Sequence, residues 1–176
     1  MKKIEPVIII LFLMWAIFAL NFILPIDFNK FGIYPRSVHG LWGIAFSPFL
    51  HANVFHILSN SVPFLILGSM LFLFYTKYAL RVFVYSILIS GTLVWVFARP
   101  AVHIGMSGVI YAIATFLIFA GFYKRKIASI LISVLVVVLY GGLIWGLFPN
   151  NFYVSWEGHI SGAVAGYILA SAYYKK

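Results

Sequence analysis

The sequence predicts an all-α membrane protein in which six transmembrane helices form one bundle. The first observation behind this prediction is composition. Of the residues, 64% are hydrophobic and 9% are charged, and the mean hydropathy is +1.08, so the chain is far more apolar than a soluble domain. The second is that the apolar residues form six runs, each near the length that crosses a bilayer as a helix. The strands of a membrane barrel would be shorter and would alternate.

The six runs follow one another with short connections. The first covers residues 7–24 and comes after Lys2 and Lys3, as in a signal peptide. Because it is long enough to span the membrane and lacks a small-residue cleavage site, we expect a retained helix. The others cover roughly residues 54–76, 79–98, 106–123, 127–147 and 156–174. With no internal repeat and no room for a soluble extra domain, residues 1–176 are expected to form a single domain.

The basic residues are divided unequally between the two ends of the predicted bundle. Nine Lys and Arg lie at the termini and in the second and fourth connections, and three, Lys30, Arg36 and Arg99, lie in the other connections. The positive-inside rule therefore predicts that both termini are cytoplasmic and that the first, third and fifth connections face outward. The net charge of +9 is expected to meet anionic lipid headgroups and not nucleic acid.

Composition also limits the chemistry that the chain can perform. The chain has no cysteine, so neither a thiolate metal site nor a cysteine nucleophile is available. His51 and His56 are five residues apart and no Glu completes an HExxH pattern, so a zinc-protease site is not expected. We therefore expect no metal and no cofactor, and any reaction must use Ser, His, Asn, Tyr or carboxylate side chains.

The first group of polar residues lies at the start of the second run, where His51, His56 and Asn60 stand among apolar residues. On a helix, His56 and Asn60 share a face one turn apart. Polar side chains within a membrane span are costly and are candidates for function. Hydrogen bonds to neighbouring helices are the alternative explanation.

The second group is Gly105, Ser107 and Gly108, with Tyr111 one turn beyond Ser107 on the same helix face. Ser107 begins the fourth run, so its N–H is an unpaired donor at a helix start and is placed to stabilise an oxyanion. Gly105 permits a tight turn, and Gly108 permits a close neighbour. The alternative is a packing serine, which is the more frequent role of a serine between glycines in a membrane helix.

The third group is His159 in the last run, followed at +3 and +7 by Gly162 and Gly166. On a helix these glycines share the face of His159, and a ridge of small residues lets a neighbouring helix approach closely. The histidine ring would then be in contact with that helix. The alternative is a partly solvated histidine at the membrane interface.

The predicted topology brings the three groups to one level. The second, fourth and sixth runs all enter the membrane from the outside, and each carries its polar group near its start. Together the groups contain a serine, a histidine able to act as general base, and oxyanion donors, which are the parts needed for acyl transfer.

No carboxylate is placed to complete a triad with Ser107 and His159. Glu157 is two residues from His159 and therefore about 200° around the helix from it. The consistent interpretation is a Ser-His dyad whose histidine is oriented by packing against Tyr111. The sequence assigns no role to His103.

Three motifs in combination resemble the rhomboid intramembrane serine proteases, in the compact six-helix prokaryotic form. The motifs are His51-x4-His56-x3-Asn60, Gly105-Met106-Ser107-Gly108 with Tyr111, and His159-x2-Gly162-x3-Gly166. The resemblance runs from the second run to the sixth. It implies cleavage of peptide bonds in or near the transmembrane segments of other membrane proteins.

The resemblance also implies a role for each matched residue. Ser107 would be the nucleophile, and His159 the general base and acid. The supporting roles are His56 and Asn60 as oxyanion side chains, Tyr111 packing on the catalytic histidine, and His51 as a structural residue. The chain departs from the family pattern at Gly43, where an Arg often follows the Trp, at Phe72, where many members carry Glu, and at Gly158, where Ala is more usual.

In rhomboids the fifth helix and the loop after it gate the access of substrate. Gly141, Gly142 and Gly146 lie near the outer end of the fifth run, and glycines weaken helix packing there. We expect this helix end to yield to substrate, with Phe152 and Tyr153 capping the site. The alternative is that these are ordinary membrane glycines.

The expected location is the prokaryotic plasma membrane, with the active site open to the outer face and with transmembrane proteins and lipids as partners. Two other functions remain as alternatives. One is a pseudoprotease that binds or escorts membrane clients. The other is a small transporter or channel whose histidines relay protons, although no run carries an acid deep within it.

Overall fold

The computed structural model describes residues 3–149 and 154–175. Within these ranges the seven α-helices are α1 (Glu5–Ile23), α2 (Gly43–Phe46), α3 (Val54–Phe74), α4 (Ala79–Phe97), α5 (Ser107–Lys124), α6 (Ile127–Tyr140) and α7 (Trp156–Tyr174). Short 3-10 turns occur at Phe28–Phe31, His39–Leu41 and Ser47–Phe49, and a longer one, Gly141–Leu147, extends α6. In the described ranges, strand pairing is limited to one bridge between Ile33 and His103. The prediction of an all-helical chain is confirmed.

Among the residues that the structure describes, five helices are long and apolar enough to cross a membrane: α1, α3, α4, α5, and α6 with its 3-10 extension. Helix α7 also has 19 residues, but Glu157 and His159 in its first turn lower its mean hydropathy. The sixth span and the cytoplasmic location of both termini therefore stay predictions.

The outward-facing side chains of α1 and α6 fit this membrane location. Phe12 and Phe22 on α1 are 70% and 88% exposed, and Val138 on α6 is 75% exposed. Apolar surface of this extent is rare on soluble monomers. Against lipid tails it carries no cost, because the tails are as apolar as the side chains.

The fifth predicted run departs from a continuous α-helix over 127–147. Helix α6 ends at Tyr140, and the seven residues Gly141–Leu147 wind as a 3-10 helix. The change occurs at Gly141 and Gly142, where glycine costs about 1 kcal/mol relative to alanine in an α-helix. A Cβ at either position would have nothing within 4 Å, so no packing compensates for this cost.

Helix α5 is the centre of the bundle and packs against α3, α4, α6 and α7. The approach to α7 is so close that a Cβ on Gly162 would overlap with the main chain of Gly108. A Cβ on Gly166 would likewise overlap with the carbonyl of Ala112. The predicted ridge of small residues on α7 therefore brings His159 against the start of α5.

The connection between α1 and α3 is anchored to the C-terminal end of α4. The guanidinium of Arg36 donates hydrogen bonds to the carbonyls of Val96, at 3.1 Å, and Ala98, at 2.9 Å. Gly43 has no room for the side chain that the family often places there, because its Cβ would overlap with the main chain of Gly32. Arg36 thus anchors this connection.

Candidate active site

The predicted nucleophile and base are in hydrogen-bond contact. Ser107 is the first residue of α5, and its Oγ lies 3.0 Å from Nε2 of His159 in the first turn of α7. His159 is only 8% exposed. Residues 52 positions apart in the chain are joined because the glycine ridge of α7 lets the two helices approach.

The other ring nitrogen of His159 is also engaged. Nδ1 lies 2.8 Å from the main-chain oxygen of Gly146 in the 3-10 segment. A carbonyl oxygen only accepts hydrogen bonds, so in the neutral ring Nδ1 carries the proton. Nε2 is therefore the nitrogen that accepts from the Ser107 hydroxyl, which is the arrangement that a general base requires.

Tyr111 lies flat against the ring of His159. The ring centroids are 4.2 Å apart and the planes differ by 9°. The Tyr111 hydroxyl donates a 2.6 Å hydrogen bond to the carbonyl of Leu143. The packing partner expected from the sequence is in place, and it is itself held by the 3-10 segment.

His56 presents one ring nitrogen to the turn before Ser107. Gly105 has a φ of +111°, and a Cβ on it would lie 2.6 Å from Nε2 of His56. The N–H of Ala52 donates to Nδ1 of His56 over 3.4 Å, which favours the proton on Nε2. His56 therefore directs a donor toward the turn that carries Ser107, and only glycine at position 105 leaves room for it.

Asn60 lies one turn below His56 and is bonded to it. Its side-chain amide donates a 2.8 Å hydrogen bond to the carbonyl of His56. The residue is 3% exposed. The amide has a second N–H, so this bond leaves it one further donor. The start of α3 is fixed by Asn53, whose side chain accepts from the N–H of His56 at 2.8 Å.

His51 stands behind this donor pair. It is 2% exposed, and its ring meets that of His56 edge-on with centroids 5.0 Å apart. Burial, which is the larger cause, and the neighbouring His56 lower the pKa of His51 to about 4. His51 is therefore neutral near pH 7 and packs against His56 without adding a charge.

A small cavity adjoins the nucleophile. It has a volume of about 40 Å³, and its lining includes Ser107, Ser90, His103 and Ser155. A water molecule needs about 10–15 Å³ of such space and two to four polar partners. The cavity is large enough to hold water beside Ser107.

His103, which the sequence left without a role, fixes the start of α7. Its Nε2 faces the carbonyl of Arg99 at 3.1 Å and its Nδ1 faces the hydroxyl of Ser155 at 2.7 Å. Nε2 must donate to the carbonyl, so Nδ1 accepts from Ser155. Ser155 in turn accepts from the N–H of Gly158 and caps α7. Burial lowers the pKa of His103, in agreement with the neutral ring that this chain of bonds requires.

Glu157 is directed away from Ser107, as its helical position indicates. Its Oε1 forms an ion pair with Nε of Arg99 at 3.5 Å. Gly158, where the family usually has Ala, adjoins the cap, because a Cβ there would lie 2.9 Å from Ser155 Oγ. The expected caps of the site, Phe152 and Tyr153, lie outside the described residues.

The sequence did not predict the hydrogen bonds that the carbonyls of Gly146 and Leu143 accept, or the His103 network. A main-chain carbonyl is present at every residue, so no pattern could single out Gly146. The clue for His103 was its position four residues before Ser107 in an otherwise apolar stretch.

Comparison with known proteins gives consistent results. The chain matches the Rhomboid domain model over residues 38–176. It is 38% identical over 152 residues to uncharacterized proteins of Mycobacterium tuberculosis and Mycobacterium bovis, covering 79% of this chain and 62% of each relative. It is 34% identical over 148 residues to an uncharacterized protein of Mycobacterium leprae, covering 79% of this chain and 59% of that relative. The chain thus spans about three fifths of the length of these relatives.

Of the α-helices in the described ranges, the family match includes all but α1, and it contains the segments that carry all three polar groups. The resemblance inferred from the motifs is therefore confirmed. The chain is an integral membrane protein that belongs to the rhomboid family.

Proposed function

We propose that this protein is an intramembrane serine endopeptidase that cuts peptide bonds in or near the transmembrane segments of other membrane proteins. The observation that carries the proposal is the 3.0 Å contact between Ser107 Oγ and Nε2 of His159, and the Gly146 carbonyl beside Nδ1 assigns the ring proton to that nitrogen. A weak nucleophile such as serine is activated by a base at this distance. The match to the Rhomboid domain supports the same class of reaction.

In the proposed mechanism, Ser107 Oγ attacks the carbonyl carbon of the scissile bond while its proton passes to Nε2 of His159. Donors from the Ser107 N–H, His56 and Asn60 stabilise the oxyanion of the tetrahedral intermediate. His159 then gives its proton to the leaving amine as the C–N bond breaks. A water molecule loses a proton to Nε2, attacks the acyl-enzyme and releases the second product, and the proton returns to Ser107.

The proposed setting is the prokaryotic plasma membrane, with six spans, both termini in the cytoplasm and the site open to the outer face. The excess of Lys and Arg at the termini and in the second and fourth connections supports this orientation. The relatives are bacterial, which supports the choice of membrane. The proposed partners are transmembrane proteins as substrates and the surrounding lipids.

The test is labelling of the purified full-length protein in detergent with a fluorophosphonate probe, which reacts only with an activated serine. Wild-type protein should be labelled and should cleave a model transmembrane substrate in liposomes. Ser107→Ala and His159→Ala should lose both activities, while Ser69→Ala on α3, away from the site, should keep them. A well-folded wild-type protein that takes no label and cuts no substrate would instead indicate the pseudoprotease.

A further inference from the structure

The 3-10 segment Gly141–Leu147 contributes two main-chain oxygens to the site. The carbonyl of Gly146 accepts from Nδ1 of His159 at 2.8 Å, and the carbonyl of Leu143 accepts from the Tyr111 hydroxyl at 2.6 Å. One bond holds the base itself, and the other holds the ring that stacks on the base. The positions of His159 and Tyr111 therefore both depend on this one segment.

The Gly146 oxygen occupies the place that a carboxylate has in a three-residue serine protease site. There, the third group bonds the Nδ1 proton, which selects the tautomer and the ring orientation and stabilises the imidazolium as it forms. Here, Glu157 is held by Arg99. A carbonyl oxygen can perform the same orienting task because it too only accepts hydrogen bonds.

The segment that supplies these oxygens is weakly attached to the bundle. None of its seven residues is buried, and Ile144 and Trp145 are 54% and 70% exposed. At its hinge with α6, Gly141 and Gly142 have open space where a Cβ would stand. Segments with few buried contacts open at low free energy, so the two hydrogen bonds, together with the packing of Leu143 against the core, are a large part of what holds it in place.

Gly146 is the point where the segment meets the site. A Cβ there would overlap with the Tyr111 hydroxyl and would lie 3.1 Å from Nδ1 of His159. The carbonyl reaches the histidine only because residue 146 lacks a side chain. At Gly141 and Gly142, in contrast, a side chain would meet no neighbouring atom within 4 Å.

We propose that the segment Gly141–Leu147 is the positioning element of the dyad. His159 has the tautomer and orientation of a base only while Gly146 and Leu143 are docked on α7 and α5. This rests on the proposed function, since it takes Ser107 and His159 as the reacting pair. Displacement of the segment would therefore switch off the chemistry as well as change the access of substrate.

The first test compares two glycine-to-alanine variants, one at the contact with His159 and one on α3 away from the site. Gly146→Ala should lower the rate of fluorophosphonate labelling of Ser107 about 100-fold, because a misplacement of about 1 Å can cost this much. Gly68→Ala on α3, whose Cβ would make only ordinary van der Waals contacts with Val7 and Phe64, should be labelled at the wild-type rate. The probe is small and needs no opening for a transmembrane substrate, so an effect on access alone would leave labelling unchanged. Equal labelling of the two variants overturns the proposal.

A second readout is independent of activity. In protein with ¹⁵N-labelled histidine, the NMR spectrum of His159, assigned by its loss in His159→Gln, should show the proton on Nδ1. Gly146→Ala should shift the ring toward the other tautomer or a mixture, whereas Gly68→Ala should not. An Nδ1 proton unaffected by Gly146→Ala contradicts the proposal. If wild-type protein took no label, the proposed function would fail, and this spectrum would still test the positioning.

Tyr111→Phe provides a milder variant in case Gly146→Ala does not fold. It keeps the stacked ring and removes only the hydrogen bond to Leu143, a contribution of about 1 kcal/mol. Labelling should fall about fivefold, which corresponds to that free energy. Labelling at the wild-type rate would show that Leu143 has no part in positioning the dyad.

Discussion

The turn before the nucleophile offers a sharp test of the oxyanion assignment. Gly105 has a φ of +111° and lies against the His56 ring, so that an added Cβ would be 2.6 Å from Nε2. Gly105→Ala should therefore act in two ways. Backbone strain at a position of positive φ costs about 1–3 kcal/mol of stability, and the displaced His56 no longer donates to the oxyanion.

The second effect should appear in the rate. Loss of one oxyanion donor costs on the order of 100-fold, so Gly105→Ala and His56→Ala should each lower the rate of cleavage by about this factor. Once the His56 ring is gone, the Cβ at position 105 has nothing left to displace. The double variant should therefore also be about 100-fold slower than wild type and not 10⁴-fold, a coupling of about 2.7 kcal/mol in activation free energy.

The assay is initial-rate cleavage of a model transmembrane substrate in liposomes, with thermal unfolding in detergent to measure the strain separately. Gly68→Ala on α3, whose Cβ would make only ordinary van der Waals contacts, serves as the matched control and should cleave at the wild-type rate. Independent effects, with the two single variants multiplying in the double variant, would refute the argument that Gly105 acts through His56. A wild-type rate in His56→Ala would remove His56 from the oxyanion site.

Two further predictions concern the outer connections. His103→Ala should lower the melting temperature and slow the labelling of Ser107. A buried polar group left without its hydrogen bond costs about 1–3 kcal/mol, and the cap of α7 loses its support. The neighbouring Val102→Ala, at a half-exposed side chain, should change neither quantity. The free energy of unfolding should also fall on acidification between pH 6.5 and 4. The pKa of His51 is about 4 in the folded protein against an ordinary value of 6.5, so the unfolded chain binds the proton first. The loss of stability over this range amounts to roughly 3 kcal/mol. This contribution is present in full above pH 6.5. It can be measured by urea titrations at several pH values. If the free energy of unfolding of His51→Gln fell with acidification as steeply as that of wild type, His51 would not be the origin of the effect.

Much of the candidate site was predictable because membrane sequences restrict polar residues. Ser107, His56 and His159 stood out for their cost in apolar surroundings, and the glycine ridge of α7 indicated which helix would meet α5. The position of Glu157 followed from the helical rotation between residues two apart. The ion pair with Arg99 agrees with that geometry.

In the fifth run, the hydrophobicity pattern does not predict the conformation of the backbone. Its hydrophobicity predicts a continuous span to residue 147, and a span-length apolar segment is present. The change to a 3-10 helix after Tyr140 occurs where Gly141 and Gly142 tolerate both geometries, and the hydrogen bonds of Leu143 with Tyr111 and of Gly146 with His159 favour the observed path. The glycines marked the place but not the conformation.

Hydropathy and the spacing of a few polar residues were enough to predict a membrane bundle, its family and the candidate residues of a dyad, because each of these predictions rests on side chains. Apart from the stacking of Tyr111, the contacts that orient His159 came only from the tertiary structure. The carbonyls of Gly146 and Leu143, and the chain of bonds from Arg99 through His103 to Ser155, join groups that are distant in sequence. Main-chain oxygens are chemically the same at every residue, so only the path of the folded chain decides which of them meets His159.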